Sequence, residues 1–294
     1  MKPYLHVKAM RYRSQTRSMC LTGAGLWLLL FSAFPVSVAA HVGMHEEIEA
    51  VSIRIDANPG DAALWQQRGE LRRMHEEWEL SRSDLMRARK LDPTLPGIDL
   101  SEARLDVDIE DYRASLPLLN RFLAREPQSV RGLITRAQAR RGLGQNLQAA
   151  EDYRLAIEAF TPPRSPAPDF YIERARALAA AGHEHIDTAV QCLEEGSVRL
   201  GPLISLQHEA LQIERSAGRL DAVLARLDRI AALTPHDASW LVLRAEVLLE
   251  TGRTAEARRT YAVALQVIDT LPAHKRTTRT VQRMRAQIEA ALRE

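Results

Sequence analysis

Two short stretches place histidines where imidazole nitrogens could meet a metal ion. The first, "HVGMHEE", carries His41 and His45; the second, "GHEHID", carries His183 and His185. If the chain were cut after Ala40, His41 would lie at the new amino terminus. Its imidazole, His45 and a free amine could then hold copper or zinc. Neither stretch has the four-ligand spacing of a structural zinc site, and polar surface histidines are the alternative. The other reactive types form no constellation. There is no GxSxG, no phosphate-cradling glycine loop and no HExxH. Glu76 and Glu77, like Glu194 and Glu195, are neighbouring carboxylates that a helix points in different directions. No enzyme and no cofactor is expected.

The elements that must position these residues begin with a leader. Lys2, Lys8, Arg11, Arg13 and Arg17 have no acid among them, and Cys20 to Ala40 runs without a charge around "LWLLLFSAF". A basic start, an apolar run and small residues before a cut make a secretory signal peptide. The expected cut follows Ala40, with Val38 and Ala40 as the small residues recognised. The rival reading is an anchor left in the membrane, since about 20 apolar residues can span a bilayer. Both place the rest of the chain outside the cytoplasm, most simply in a bacterial periplasm. Without the leader, 35 basic side chains face 38 acidic ones. The apparent basicity therefore belongs to the leader, and no footprint for nucleic acid remains. Membrane contact is expected only through an uncleaved leader. Only Cys192 would survive the cut, so no intrachain disulfide is possible.

The remainder is a repeat. Pro93 and Pro127 are 34 residues apart, as are Gly69, Ala103 and Ala137 in succession. Gly144, Gly182, Gly218 and Gly252 follow at intervals of 38, 36 and 34. Ala149, Tyr153 and Ala156 follow Gly144 at the offsets by which Ala257, Tyr261 and Ala264 follow Gly252. With few aromatics and much Ala, Leu, Arg and Glu, the chain reads as all-α, and its period resembles that of helix-pair repeats. Gly69 lies where a partner helix would collide with a larger side chain, which offsets a propensity cost of about 1 kcal/mol. The later glycines fall between helices, where a left-handed residue is easiest for Gly. Pro93, Pro127 and Pro235 end second helices.

On these residues the chain resembles the tetratricopeptide-repeat (TPR) family. "WQQRGELRR", with Leu85, Ala88 and Pro93, is one specific copy. The stretches around Gly144 and Gly252 are two more, and residues 96–128, 168–202 and 204–234 are weaker ones. The resemblance implies an all-α, right-handed superhelical solenoid of about six helix-turn-helix units with capping helices. It divides the chain into a leader at 1–40, a capping helix at 41–60, units 1–3 at 61–163, units 4–6 at 164–271 and a final capping helix at 272–294. Four prolines in "TPPRSPAPD" separate the halves, either as a plain stop-and-restart loop of ordinary length or as a point where the stack bends or loosens. The resemblance also implies that first helices line a concave groove that binds a protein or peptide. That geometry turns Gln66, Glu70, Arg73, Arg104, Arg131, Gln138, Arg141, Arg176, His208 and Arg215 inward. The planar fork of Arg suits carboxylates, so an acidic peptide or an exposed C-terminus fits. The expected function is a non-catalytic scaffold in the cell envelope; the alternative is a periplasmic metal-handling protein using His41 and His45.

Overall fold

Among the described residues, four helix starts are capped by a short polar side chain. Asp61 accepts from the backbone N–H groups of Ala63 and Leu64, at 3.0 and 3.4 Å, and opens α2 (Ala62–Met74). Ser129 caps α6 (Val130–Gly142) through Gly132 N–H, and Asp237 caps α12 (Ala238–Glu250) through Ser239 N–H. Such caps satisfy the donors that a helix start leaves unpaired. The computed structural model describes residues 36–293 apart from 162 and 236, with side chains from His45 onward. The remaining helices are α1 (Val36–Ala57), α3 (Trp78–Leu91), α4 (Ile98–Asp108), α5 (Tyr112–Arg125), α7 (Asn146–Glu158), α8 (Pro168–Ala181) and α9 (Ile186–Leu200). Then come α10 (Ile204–Ser216), α11 (Leu220–Leu233), α13 (Thr254–Thr270), the short α14 (Ala273–Arg276) and α15 (Arg279–Arg293). The described residues contain no strand, so this part of the molecule is all-α.

The chain divides into residues 1–43 and 44–294, and every helix pair lies in the second unit. The basic and apolar leader falls almost wholly outside the described residues. α1 begins at Val36 and runs through the expected cut after Ala40. No helix among the described residues is long and apolar enough to cross a membrane.

Six antiparallel pairs follow, α2/α3 to α12/α13. The pairs with weak sequence signals, α4/α5, α8/α9 and α10/α11, are also formed, α10/α11 the least extensively. Small residues sit at the crossings: Ala103, Ala137, Ala175, Ala245 and Ala264 expose no surface. Gly69 answers to the same need, because a Cβ there would lie 2.9 Å from both Cγ and Cδ2 of Leu85. Tyr153 and Tyr261 fill the volume beside their crossings, at 2 % and 3 % exposure.

A single turn joins the two helices of five units. Gly144, Gly218 and Gly252 take φ of 72°, 71° and 74°. After each, an N–H reaches back to the last helical turn, as from Gln145 to Arg140 O at 2.8 Å; this is the Schellman arrangement. Units 1 and 2 make the same turn without glycine, on Glu76 (φ 61°) and Glu110 (φ 63°). Gly182 departs from the expectation. Its φ of 153° is not left-handed-helical, and a one-turn 3-10 segment, His183–His185, absorbs the longer spacing there.

Of the two readings of the proline-rich stretch, the packing matches the plain stop-and-restart loop. α7 packs directly on α8, and one apolar cluster runs from Ala137 through Tyr153, Tyr171 and Leu193 to Ile213. Arg199 closes the loop by donating to Phe160 O at 2.8 Å. Four prolines break the helix, but they leave enough chain for α8 to fold back onto α7, and buried area holds the joint.

Candidate functional site

First helices of successive units touch one another: α2 meets α4, α4 meets α6 and α8 meets α10. Their shared face carries the residues expected to turn inward, and its chemistry is set by pairs between units. Glu70 on α2 receives Arg104 of α4 at 2.7 Å and Arg73 of its own helix at 3.1 Å; Arg73 also reaches Asp108 on α4. Arg141 on α6 reaches Glu173 on α8. Arg176 forks onto Glu209 of α10 through bonds of 2.8 and 2.6 Å, and Arg215 on α10 reaches Glu250 on α12. The result is a ladder of bridges spaced one repeat apart. It fixes the register of neighbouring first helices and neutralises most of the positive charge expected there.

Arg131 on α6 is the exception. It is exposed and, among the described residues, the one arginine of the expected groove set without an acid partner. It borders a recess of about 440 Å³ with Gln66, Glu70, Gly97, Ser101 and Arg104. Gln66 spans the recess floor, donating to Ser101 Oγ at 3.0 Å. Burial, and then the neighbouring cations Arg73 and Arg131, pull the Arg104 guanidinium below its ordinary pKa against the attraction of Glu70. Buried Glu70 Oε1 has no hydrogen-bond partner. Glu70 thus serves two guanidinium groups with one oxygen, and the cluster holds a local surplus of positive charge.

The remaining candidates are spread out. Gln138 is exposed on α6. His208 contacts Gln212 at 3.4 Å and lies edge-on to Trp240, ring centres 6.0 Å apart. The acids Glu173, Glu209 and Glu250 were not among the sequence candidates. Their signal was a separation of 32 to 35 residues from an inward arginine, close to one repeat.

The histidine stretches part company. The side chain of His41 lies outside the described residues. His45 does not stand alone: it meets His75 and Glu77, with ring centres 4.2 Å apart between the two histidines. His185 approaches only the adjacent Glu184, at 3.7 Å. Cys192 is enclosed against Tyr171 O, and burial raises its thiol to about 11. At that value it is neither a nucleophile nor a ready metal ligand near neutral pH.

Residues 209–271, covering the last two helix pairs, match the family model described as "Tetratricopeptide repeat". The chain has the tetratricopeptide-repeat fold. A tetratricopeptide repeat protein from Parabacteroides merdae ATCC 43184 aligns with a TM-score of 0.52 and 13 % identity, over 86 % of this chain and 95 % of that one. PilW, described as a widely conserved type IV pilus biogenesis factor, aligns with a TM-score of 0.55 and 15 % identity, over 68 % of this chain and 90 % of its own. At such identities the likeness is one of fold. No curated protein matches the sequence. In tetratricopeptide and related solenoids, stacking leaves an extended face used for binding other proteins rather than for catalysis.

Proposed function

We propose that the chain is an exported, non-catalytic scaffold whose inner wall captures a protein or peptide with an exposed carboxylate. The observation that carries this reading is Arg131: a cation without an acid partner among the described residues, at the rim of a recess that also holds Arg104. A carboxylate from a partner would complete there the pattern that Glu173, Glu209 and Glu250 complete elsewhere on the ladder. A guanidinium can receive it through two parallel hydrogen bonds. Export rests on the basic start, apolar run and small residues of the first forty positions.

The test uses a fluorescein-labelled peptide of alternating Glu and Ala with a free C-terminal carboxylate, followed by anisotropy. Arg131→Glu should weaken binding at least tenfold, since it removes one charge-assisted contact and adds a repulsion worth roughly 1.4 kcal/mol or more together. Arg176→Glu, whose parent side chain is already held by Glu209, should change it far less. Equal affinity of the Arg131→Glu variant and the parent would reject the carboxylate site.

A further inference from the structure

We propose that His45, His75 and Glu77 form a zinc site where α1 meets the first inter-helix turn. One ligand atom from each lies within 4.8 Å of the other two. A tetrahedral zinc ion with bonds near 2.1 Å wants its ligands about 3.4 Å apart, a gap covered by rotation of the exposed His45 and small shifts of the partly buried His75 and Glu77. Two imidazoles and a carboxylate are a donor set that zinc accepts, with the fourth position left to water.

The backbone has already done most of the assembly. His75 and Glu77 flank Glu76 in the tight turn, held by His75 N–H to Leu71 O at 3.1 Å, Glu76 N–H to Arg73 O at 3.1 Å and Glu77 N–H to Arg72 O at 2.9 Å. His75 Nδ1 lies 3.3 Å from Glu77 Oε1, while Arg72 stands 3.9 Å from the other carboxylate oxygen and leaves Oε1 for the ion. His45 is delivered by register. It precedes Ile48 by three residues on the face of α1 that buries Val51 and Ile55 against Leu64 and Leu71.

The repeat itself does not demand these residues. At the positions of His75 and Glu77, the other units sharing this turn carry Ile109 and Asp111, Leu143 and Gln145, Ala217 and Arg219, and Thr251 and Arg253. The His-x-Glu turn occurs in the first unit alone, and there it keeps a left-handed glutamate where three units have glycine.

The experiment is a Zn²⁺ titration of the full chain, purified through a tag without histidine and stripped with a chelator. Calorimetry would be paired with visible absorption after Co²⁺ substitution. One saturable ion per chain and a tetrahedral Co²⁺ spectrum are expected. His75→Ala, Glu77→Gln and His45→Ala should each weaken binding by at least the roughly 10-fold that loss of even an outer hydrogen bond costs a metal site. His45 lies on α1 and takes no part in the backbone hydrogen bonds of the turn, so its variant keeps the test valid if substitutions at the turn impair folding. His41→Ala should bind as the parent does, which separates this site from one built on His41 and His45. No saturable binding, or undiminished binding in His45→Ala, would overturn the proposal.

Discussion

Arg226 on α11 and Glu214 on α10 face each other through two parallel hydrogen bonds of 2.8 Å, at 1 % and 5 % residue exposure. The pair is a mirror image of its counterparts. In unit 1, Asp84 on the second helix receives Arg68 and Arg72 from the first; in unit 3, Asp152 receives Arg136 and Arg140 in the same way. Aligned on the inter-helix turn, Glu214 occupies the place of Arg72 and Arg140, and Arg226 that of Asp84 and Asp152. Unit 6 has Thr260 in this place, receiving Arg244 at 3.1 Å. The buried contact is kept while its polarity changes, because burial demands that the charge be paired and not that either helix carry a given sign.

Breaking the reversed pair should therefore cost much more than inverting it. Arg226→Asp leaves Glu214 buried beside a like charge, and about 3–5 kcal/mol of stability should be lost. Adding Glu214→Arg restores the polarity of units 1 and 3 and should recover at least half of that. Glu194, which also receives Arg226 at 2.8 Å, limits the recovery. Urea unfolding of the four proteins in the cycle measures the coupling; additive losses would show that the two residues do not depend on each other.

At Gly69, two effects of similar size oppose each other. Alanine gains about 1 kcal/mol of helix propensity, but its methyl would stand 2.9 Å from Leu85 Cγ, a branch point 1 % exposed that has little room to move. Overpacking of this kind costs about 1–3 kcal/mol. Gly69→Ala should lose about 1 kcal/mol net, seen as a lower midpoint in thermal unfolding. A stabilised variant would mean that the crossing of α2 and α3 opens without cost.

Two buried aspartates should respond to acid in opposite directions. Burial opposes ionisation of Asp99, but Arg89 at 2.8 Å and Arg121 at 2.9 Å outweigh it and lower its pKa. Its contribution is full above the unfolded value, about 3.9, and is lost as pH falls through the lower folded value. Asp106, by contrast, is raised by burial, and Arg82 at 3.3 Å does not compensate. A raised carboxylate favours the native state more as pH falls through its folded value. Asp99→Asn should cost about 1–3 kcal/mol near pH 7, with the difference from the parent gone once Asp99 is protonated. Asp106→Asn should be at least as stable as the parent near pH 7. Circular dichroism of both variants across the acid range checks the two signs.

The repeat was readable because packing geometry constrains residue type locally. Gly69, Ala137 and Ala245 had to be small, Tyr153 and Tyr261 large, and both demands recur at fixed spacing. The inter-helix turns of units 1 and 2 were harder, since Glu76 and Glu110 make a left-handed turn that their side chains do not advertise. The stack supplies enough contact to hold them there. The sequence offered a set of positions for the first-helix face but not its charge state. Arg73, Arg104, Arg141, Arg176 and Arg215 all find acids one repeat away or nearer, and a list of inward arginines does not show that.

Taken alone, the amino-acid order determined helix pairing, period and crossing residues, because these follow from sizes and backbone preferences repeated every 34 to 38 positions. Tertiary structure decided which charges remain available and which histidine finds partners. Among the described residues Arg131 has no acid partner, and His45 meets His75 and Glu77 only once separate helices are set side by side, since a side-chain contact depends on direction and distance across elements, not on spacing along one of them.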